Sequence, residues 1–487
     1  MSELLVFILI YPLLFAVAVQ TRVGKIRPYE FGISGIITGI LALILLSITH
    51  GQGDVIAYPM GGWGYLKGIV IAVDHLSLLM AGLIQCIGLL TLLFSSKQSI
   101  EKPHIYVSLV LLCIMGLNGI VLTADLFNLF VFLELASLVS YALVAYTKEA
   151  EGLEGAFKYV LMSFGGSMLI LWATALVYAI SGSLNIVGAA EALRQAPHFL
   201  QITIVAMYVS GFSVKVGLFP VHAWKADAYT AARAPVGALL SGASSKVAIY
   251  ALFRVLSLLF GWSILSGMNL GVVLATLGLV SILIGHMLAF GQSKLKRLLT
   301  YSSIAHIGYI LIGLSVFNLL GTVGALFHMV NHGLLKAGLF YFAAVATEDD
   351  EILSLKGLFR RSPSLAICFV VMALGMAGVP PLNGFLSKWL IVMGAMEAGF
   401  YLHAAVIVIA GLMALLYYVP LVQLMFTPSD ETQALVLERS QMGVIQTVVA
   451  ISVVLFFVAN WVFPVLQEAA SNLMYPDSYI DTIFNLN

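Results

Sequence analysis

Residues 126–146 read LFNLFVFLELASLVSYALVAY, an apolar run whose one charged side chain, Glu134, falls near its middle. A helix of about 20 apolar residues crosses the hydrocarbon core of a bilayer. At about 1.5 Å rise per residue, Glu134 is then a carboxylate close to mid-membrane. Ionisable groups at that depth are costly and mark function by default. Working outward from this stretch, five basic residues lie inside other long apolar runs: Lys215, Lys246, Arg254, Lys336 and Lys388.

The composition agrees. The chain of 487 residues is 61% hydrophobic and only 9% charged, with a mean hydropathy of +1.04, against roughly 25% charged residues in soluble domains. Spanning runs are read at Leu4–Val19, Phe31–Ile48, Leu76–Phe94, Tyr106–Thr123, Leu126–Tyr146, Tyr159–Ile180, Ile202–Tyr229 and Val236–Leu259. Six more follow at Leu270–Phe290, Ser302–Val316, Thr322–Ala346, Pro363–Glu397, Phe400–Phe426 and Met442–Leu466. The expectation is an all-α polytopic membrane protein of about fourteen transmembrane helices, forming one membrane domain over residues 1–487.

Charge placement gives an independent check, because cytoplasmic loops are rich in Lys and Arg. Every second expected loop is basic. The series runs Arg22, Lys25 and Arg27; Lys97 and Lys102; Lys148 and Lys158; Lys225 and Arg233; Lys294, Lys296 and Arg297; Lys356, Arg360 and Arg361; Arg439. The opposite loops hold Lys67 and Arg194 alone. A missed or invented helix would scramble this alternation, so both termini are expected on the non-cytoplasmic side. The first apolar run has no basic residue before it and no small-x-small cleavage pattern before Arg22, so it is expected to stay in the mature chain.

Other classes are disfavoured. Cys86, Cys113 and Cys368 are scattered, without the paired spacing of a zinc or iron–sulfur site. No cofactor is expected, and any redox chemistry belongs to a partner. A net formal charge of zero with no basic arm argues against nucleic-acid binding.

By helical rise, Glu134, Lys215, Lys246, His332 and Lys336 share one depth, which suits a route running sideways through the protein. His328, His332 and Lys336 are spaced i, i+4, i+8 and lie on one helix face, able to hand a proton along it. Burial disfavours the charged form of a lysine and a nearby carboxylate restores it, so a lysine beside a movable acid is a switchable proton site. Glu134 with Lys215 is the expected pair. A Lys–Glu pair that merely joined helices would be a costly way to obtain packing. Arg254 lies toward an outer helix end, where it can snorkel, and arginine does not deprotonate, so its expected role is structural or electrostatic. His222 and His306 sit near expected loop ends, equally suited to capping, packing or relay. Asp74 and Asp125 stand at helix starts and are read as caps.

Two spans are expected to be broken. Lys215-Val-Gly-Leu-Phe-Pro220 puts glycine and proline mid-span, and Gly378, Pro380, Pro381 and Gly384 precede Lys388. Paired interrupted segments point to internal repeats and an ion site.

These stretches carry a resemblance. The run Asp125 to Glu134, the stretch from Lys215 through Phe219-Pro220 to Trp224 and Asp227, and Ala234-Pro235-Val236 with Lys246 resemble the proton-translocating antiporter-like subunits. Such subunits occur in respiratory complex I, membrane-bound hydrogenases and Mrp-type sodium/proton antiporters. Further matches are Arg297-Leu-Leu-Thr-Tyr-Ser-Ser, His328-Met-Val-Asn-His332-Gly-Leu-Leu-Lys336 and Gly378-Val-Pro-Pro-Leu-Asn-Gly-Phe-Leu-Ser-Lys388. They cover essentially the whole chain. Within the family it is most similar to the D-type component of Mrp antiporters.

The resemblance implies two inverted five-helix repeats, residues 106–259 (helices four to eight) and 270–426 (helices nine to thirteen), with broken seventh and twelfth helices. It also implies proton translocation by Glu134, Lys215, Lys246, His328, His332, Lys336 and Lys388. The implied partners are other membrane subunits of a hetero-oligomeric antiporter or hydrogenase-like complex, in a prokaryotic plasma membrane, with no lateral arm beyond helix fourteen. Two functions follow: the ion-translocating subunit of an Mrp-type antiporter, or the pumping module of a hydrogenase or complex I-like redox enzyme. Sodium's route is left open, since no cluster of acidic oxygens stands out. Lys225 and Arg233 depart from the pattern, lying where small or apolar residues are usual, and are read as contacts with a partner or with lipid headgroups.

Overall fold

The computed structural model describes residues 3–21, 27–49, 55–64, 68–429, 435 and 437–486. Arg22, Lys25 and Lys67, used above in the charge alternation, lie outside the described residues. Two helices open the chain, α1 (Glu3–Thr21) and α2 (Pro28–Thr49), and a hairpin of β1 (Ile56–Pro59) and β2 (Val70–Val73) follows. Then come α3 (His75–Ser95), α4 (Pro103–Leu122), α5 (Leu126–Val144), α6 (Ala150–Ser181), α7 (Ile186–Gln195), α8 (His198–Val216), α9 (Ala223–Ala231), α10 (Ala234–Leu239) and α11 (Ser245–Gly267). The second part contains α12 (Leu270–Ala289), α13 (Leu295–Ser315), α14 (Leu319–Ala346), α15 (Leu358–Arg361), α16 (Pro363–Ala377), α17 (Asn383–Glu397) and α18 (Tyr401–Phe426). The chain closes with α19 (Arg439–Phe457), α20 (Ala459–Met474) and α21 (Asp477–Phe484).

Among the described residues 13 helices are long and apolar enough to cross a membrane. The pair α16 and α17 fills Pro363–Glu397, the expected twelfth crossing, as two shorter helices. Helices satisfy their own backbone groups, which is why a sequence this apolar folds into them in lipid. Starts are set by local chemistry. The Asp125 carboxylate accepts from the Asn128 backbone N–H at 2.7 Å to open α5, as expected for a cap. Asn318 does the same for α14 through Gly321 N at 2.8 Å.

The centre of the molecule is α13 and α14, with 94% and 83% of their spanning windows buried, whereas α1, α2, α18 and α19 keep large apolar faces exposed. Close helix approaches are made by small residues. A Cβ on Gly308 of α13 would lie 2.4 Å from the Gly278 carbonyl oxygen of α12, and one on Gly211 of α8 would lie 2.7 Å from that of Gly166 of α6.

Four features differ from the sequence reading. The β1–β2 hairpin, in register Ile56 with Val73, occupies an expected loop; its strands are four residues each, too short to signal themselves. The run 236–259, read as one helix, opens with α10 and a π-turn at Leu240–Ser244 before α11 begins. The last expected span divides into α19 and α20. Finally, α13 begins at Leu295, two turns before the expected start, so His306 stands mid-helix rather than near a loop.

Candidate functional site

The two expected breaks are present and share one construction. At the end of α8, Gly217 N–H donates to the carbonyls of Ser213 (3.0 Å) and Val214 (3.1 Å), and Leu218 N–H donates to Ser213 (3.0 Å). At the end of α16, Gly378 N–H donates to Leu374 (3.0 Å) and Gly375 (3.2 Å), and Val379 N–H donates to Leu374 (3.0 Å). Both glycines are left-handed, with φ +73 and +85, as this helix ending requires. Each break leaves terminal carbonyls without a helical partner, and in each a lysine supplies the donor.

Lys215 lies in the last turn of α8. Its Nζ donates to Glu134 Oε1 (3.0 Å), Ser137 Oγ (2.9 Å) and Ser163 Oγ (2.9 Å), so all three ammonium donors are used. Glu134 also accepts from Ser167 Oγ. The lysine is 5% exposed and the acid 27%, so the pair is buried at its basic end and partly accessible at its acidic end. Beyond Lys215 a narrow cavity of about 30 Å³, room for one or two waters, is lined by Ser137, Tyr159, Lys215, Tyr229, Ser244 and Ser245. It leads to the start of α11, where Lys246 is fully buried and donates to the Ser241 carbonyl inside the π-turn.

The π-turn joins the two halves of the molecule. Ser241 Oγ lies 3.0 Å from Ser303 Oγ of α13. Beside it, Ser302 Oγ accepts from Lys336 of α14, whose Nζ also donates to the Leu299 carbonyl at 2.7 Å. Gly333 of α14 allows the approach, since a Cβ there would lie 2.8 Å from the Gly242 carbonyl oxygen. From Lys336 the same face of α14 continues to His332 and His328, as their spacing predicted.

His306 stacks on both, with ring centroids 5.0 Å from His332 and 5.2 Å from His328. Nδ1 of His306 is 3.0 Å from Nε2 of His328, and Nδ1 of His328 is 2.9 Å from Ser387 Oγ. The next residue, Lys388, donates to the carbonyls of Met376 (2.8 Å) and Ala377 (3.0 Å) across the second break, its Nζ 4.6 Å from the centroid of the Tyr309 ring. Both ring nitrogens of His332 are buried without a hydrogen-bond partner among the described residues, a condition that favours bridging water.

A family model described as "NADH:quinone oxidoreductase/Mrp antiporter, TM" matches residues 123–414, which hold all seven of these predicted residues. The chain belongs to this NADH:quinone oxidoreductase/Mrp antiporter transmembrane family. The N-type component of the NADH-quinone oxidoreductase of Desulforudis audaxviator is 33% identical over 86% of this chain and 85% of its own. The D-type component of the Na(+)/H(+) antiporter of Alkalihalophilus pseudofirmus is 29% identical over 91% of each. Among solved structures, a chain of an archaeal respiratory membrane complex, the membrane-bound sulfane sulfur reductase, matches with a TM-score of 0.92 at 27% identity, covering 98% of this chain and 99% of that one.

Relative to the sequence reading, three residues move from their expected places. Lys225, counted as a loop charge, is fully buried in α9 and donates to the Val216 carbonyl at 2.9 Å, because the chain turns back into the protein after the break. Arg254 does not snorkel. It is buried, pairs with Asp74, and its guanidinium lies 4.4 Å from the centre of the Tyr479 ring. Asp74 is therefore both counter-ion and cap, accepting from Ser77 N at 2.8 Å. His306 belongs to the histidine stack rather than to a loop end. His222 opens α9 beside the first break, its ring 5.4 Å from Phe219.

The sequence reading passed over His286. It is fully buried in α12 between Tyr417 Oη (3.2 Å) and Tyr309 Oη (3.1 Å), with its ring 6.1 Å from His306. Its signal was an ionisable group within the apolar run 270–290, the criterion that picked out Glu134.

Proposed function

We propose that this chain is the ion-translocating, proton-conducting subunit of a multisubunit Mrp-type Na+/H+ antiporter in a prokaryotic plasma membrane. Protons pass by way of Glu134, Lys215, Lys246, Lys336, His332, His328 and Lys388. One observation carries the reading. The Lys215–Glu134 pair, with its acid partly accessible, is followed by a small cavity beside Lys215, the Lys246–Ser241 and Ser241–Ser303 contacts, and Lys336 with the histidines. Lys246, Lys336 and Lys388 have no acid paired with them among the described residues. A buried ammonium without a counter-ion is costly, so a charge on one lysine repels a charge on the next and transfer is stepwise. The same reading takes residues 106–259 and 270–426 as two repeats, supported by the shared construction of the two breaks.

The test is Lys215→Ala in the complete complex, with proton/sodium exchange followed by a pH dye in vesicles. The expected result is normal subunit assembly with exchange lost. A well-assembled variant exchanging at the wild-type rate rejects the reading.

A second reading, the pumping module of a redox enzyme, is favoured by the similarity to the NADH-quinone oxidoreductase component and to the sulfane sulfur reductase chain. Gentle purification with mass spectrometry separates the two. Small hydrophobic subunits alone support the antiporter, and iron–sulfur or nickel–iron proteins support the redox machine.

A further inference from the structure

Lys225 occupies at the first break the place that Lys388 occupies at the second. Each lies in the helix after the break and reaches back to the last carbonyls of the helix before it: Lys225 to Val216, Lys388 to Met376 and Ala377. Each passes over the left-handed glycine. A Cβ on Gly217 would stand 2.7 Å from Lys225 Cδ, and one on Gly378 would stand 3.0 Å from Lys388 Cδ. Each amine also lies over a tyrosine, Tyr229 at 5.4 Å and Tyr309 at 4.6 Å. The carbonyl that Lys225 holds belongs to the residue next to Lys215.

The surroundings of Lys225 are cationic. Neither Lys225 nor Lys388 pairs with an acid among the described residues. The ionisable groups facing Lys225 are Tyr229 and His222 on its own segment, Lys246 of α11, and Lys336 and His332 of α14. It thus stands where the two halves of the route meet, within electrostatic reach of a lysine on each side. A lysine kept in the core only to satisfy one carbonyl is an expensive donor, since a neutral side chain would serve.

We propose that Lys225 is a further proton-carrying lysine of this chain, the counterpart at the first helix break of Lys388 at the second, acting between Lys215–Lys246 and Lys336. An arriving proton forms an N–H bond on the free amine, and its departure breaks that bond and restores the lone pair. No other bond changes. This rests on the proton-conducting reading above.

The test uses Lys225→Gln and Lys225→Arg in the complete complex, with Lys215→Ala alongside. Glutamine keeps an N–H donor for the Val216 carbonyl but carries no proton; arginine keeps donor and charge but does not deprotonate. Both variants should assemble normally, with exchange down by roughly a hundredfold, the low end of what a positioned proton-transfer group contributes. Exchange above about a tenth of wild type in either variant overturns the proposal, because it leaves Lys225 a helix cap. Failure of both to assemble overturns it too, because the lysine is then structural. If Lys215→Ala exchanges at the wild-type rate, the proton-conducting reading itself falls; if it is inactive while Lys225→Gln exchanges, only the role of Lys225 falls.

Discussion

Nδ1 of His306 and Nε2 of His328 stand 3.0 Å apart between α13 and α14, and the other ring nitrogen of His328 meets Ser387, the residue before Lys388. Two central helices and the second broken helix are thereby joined through one imidazole. In a neutral ring one nitrogen donates and the other accepts, so donation from one side of His328 fixes acceptance on the other.

Removing the hydroxyl in Ser387→Ala leaves a buried ring nitrogen without its partner, a loss of about 1–3 kcal/mol. His328 is then positioned by its contact with His306 alone. We expect normal assembly with exchange lowered roughly tenfold, one factor of ten for about 1.4 kcal/mol. Vesicle exchange assays, normalised to the assembled complex on a native gel, check this; an unchanged rate would remove Ser387 from the route.

Glu134→Gln keeps size and polarity but leaves the Lys215 ammonium with serine hydroxyls and an amide alone. Breaking a fully buried pair costs about 3–5 kcal/mol. Here the low end applies, since Glu134 is 27% exposed. Exchange should fall by roughly tenfold or more, while Glu134→Asp retains part of it by preserving the charge. A Gln variant as active as wild type would show that the acid does not tune Lys215.

The Asp74–Arg254 pair lies apart from the lysine route and ties α3 to α11 and, through Tyr479, to α21. Arg254→Met leaves Asp74 buried without its counter-ion, and we expect a loss of roughly 3–5 kcal/mol, read as lower melting temperature in detergent and less accumulated protein. Exchange per assembled complex should stay near wild type. A selective loss of exchange at normal stability would instead place Arg254 on the route.

Hydropathy and charge made most of this architecture legible. A crossing needs a run of apolar residues that nothing else in a sequence resembles, and Asp125, Glu134 and Lys215 stood out against such runs. What stayed hidden depends on tertiary contact. Lys225 lies near the end of the run 202–229, close to Asp227 and Arg233, so the charge alternation reads it as a loop residue; only the chain's return over Gly217 buries it. Ser241 and Ser303 gave no signal, because helical serines usually bond their own backbone four residues back. Ser303 makes that bond as well, to Leu299 at 2.9 Å, and only the approach of the π-turn adds the partner across the helices. His286 was visible in principle and was overlooked because its neutral ring disturbs an apolar run far less than a lysine does.

Two glycines with nearly the same backbone separate backbone cost from site geometry. Gly182, at the end of α6, has φ +69 with nothing within 4 Å of an added Cβ, whereas Gly217 has φ +73 with Lys225 Cδ 2.7 Å from that position. Alanine at either position pays the left-handed penalty of about 1–2 kcal/mol, so both variants should melt at lower temperature. Gly182→Ala should exchange normally once assembled. Gly217→Ala must also displace the Lys225 stem that reaches the Val216 carbonyl, and its exchange per assembled complex should fall roughly tenfold or more. Measuring both in the same vesicles gives the comparison. Equal exchange in the two would mean that the seat of Lys225 over the first break has no part in transport.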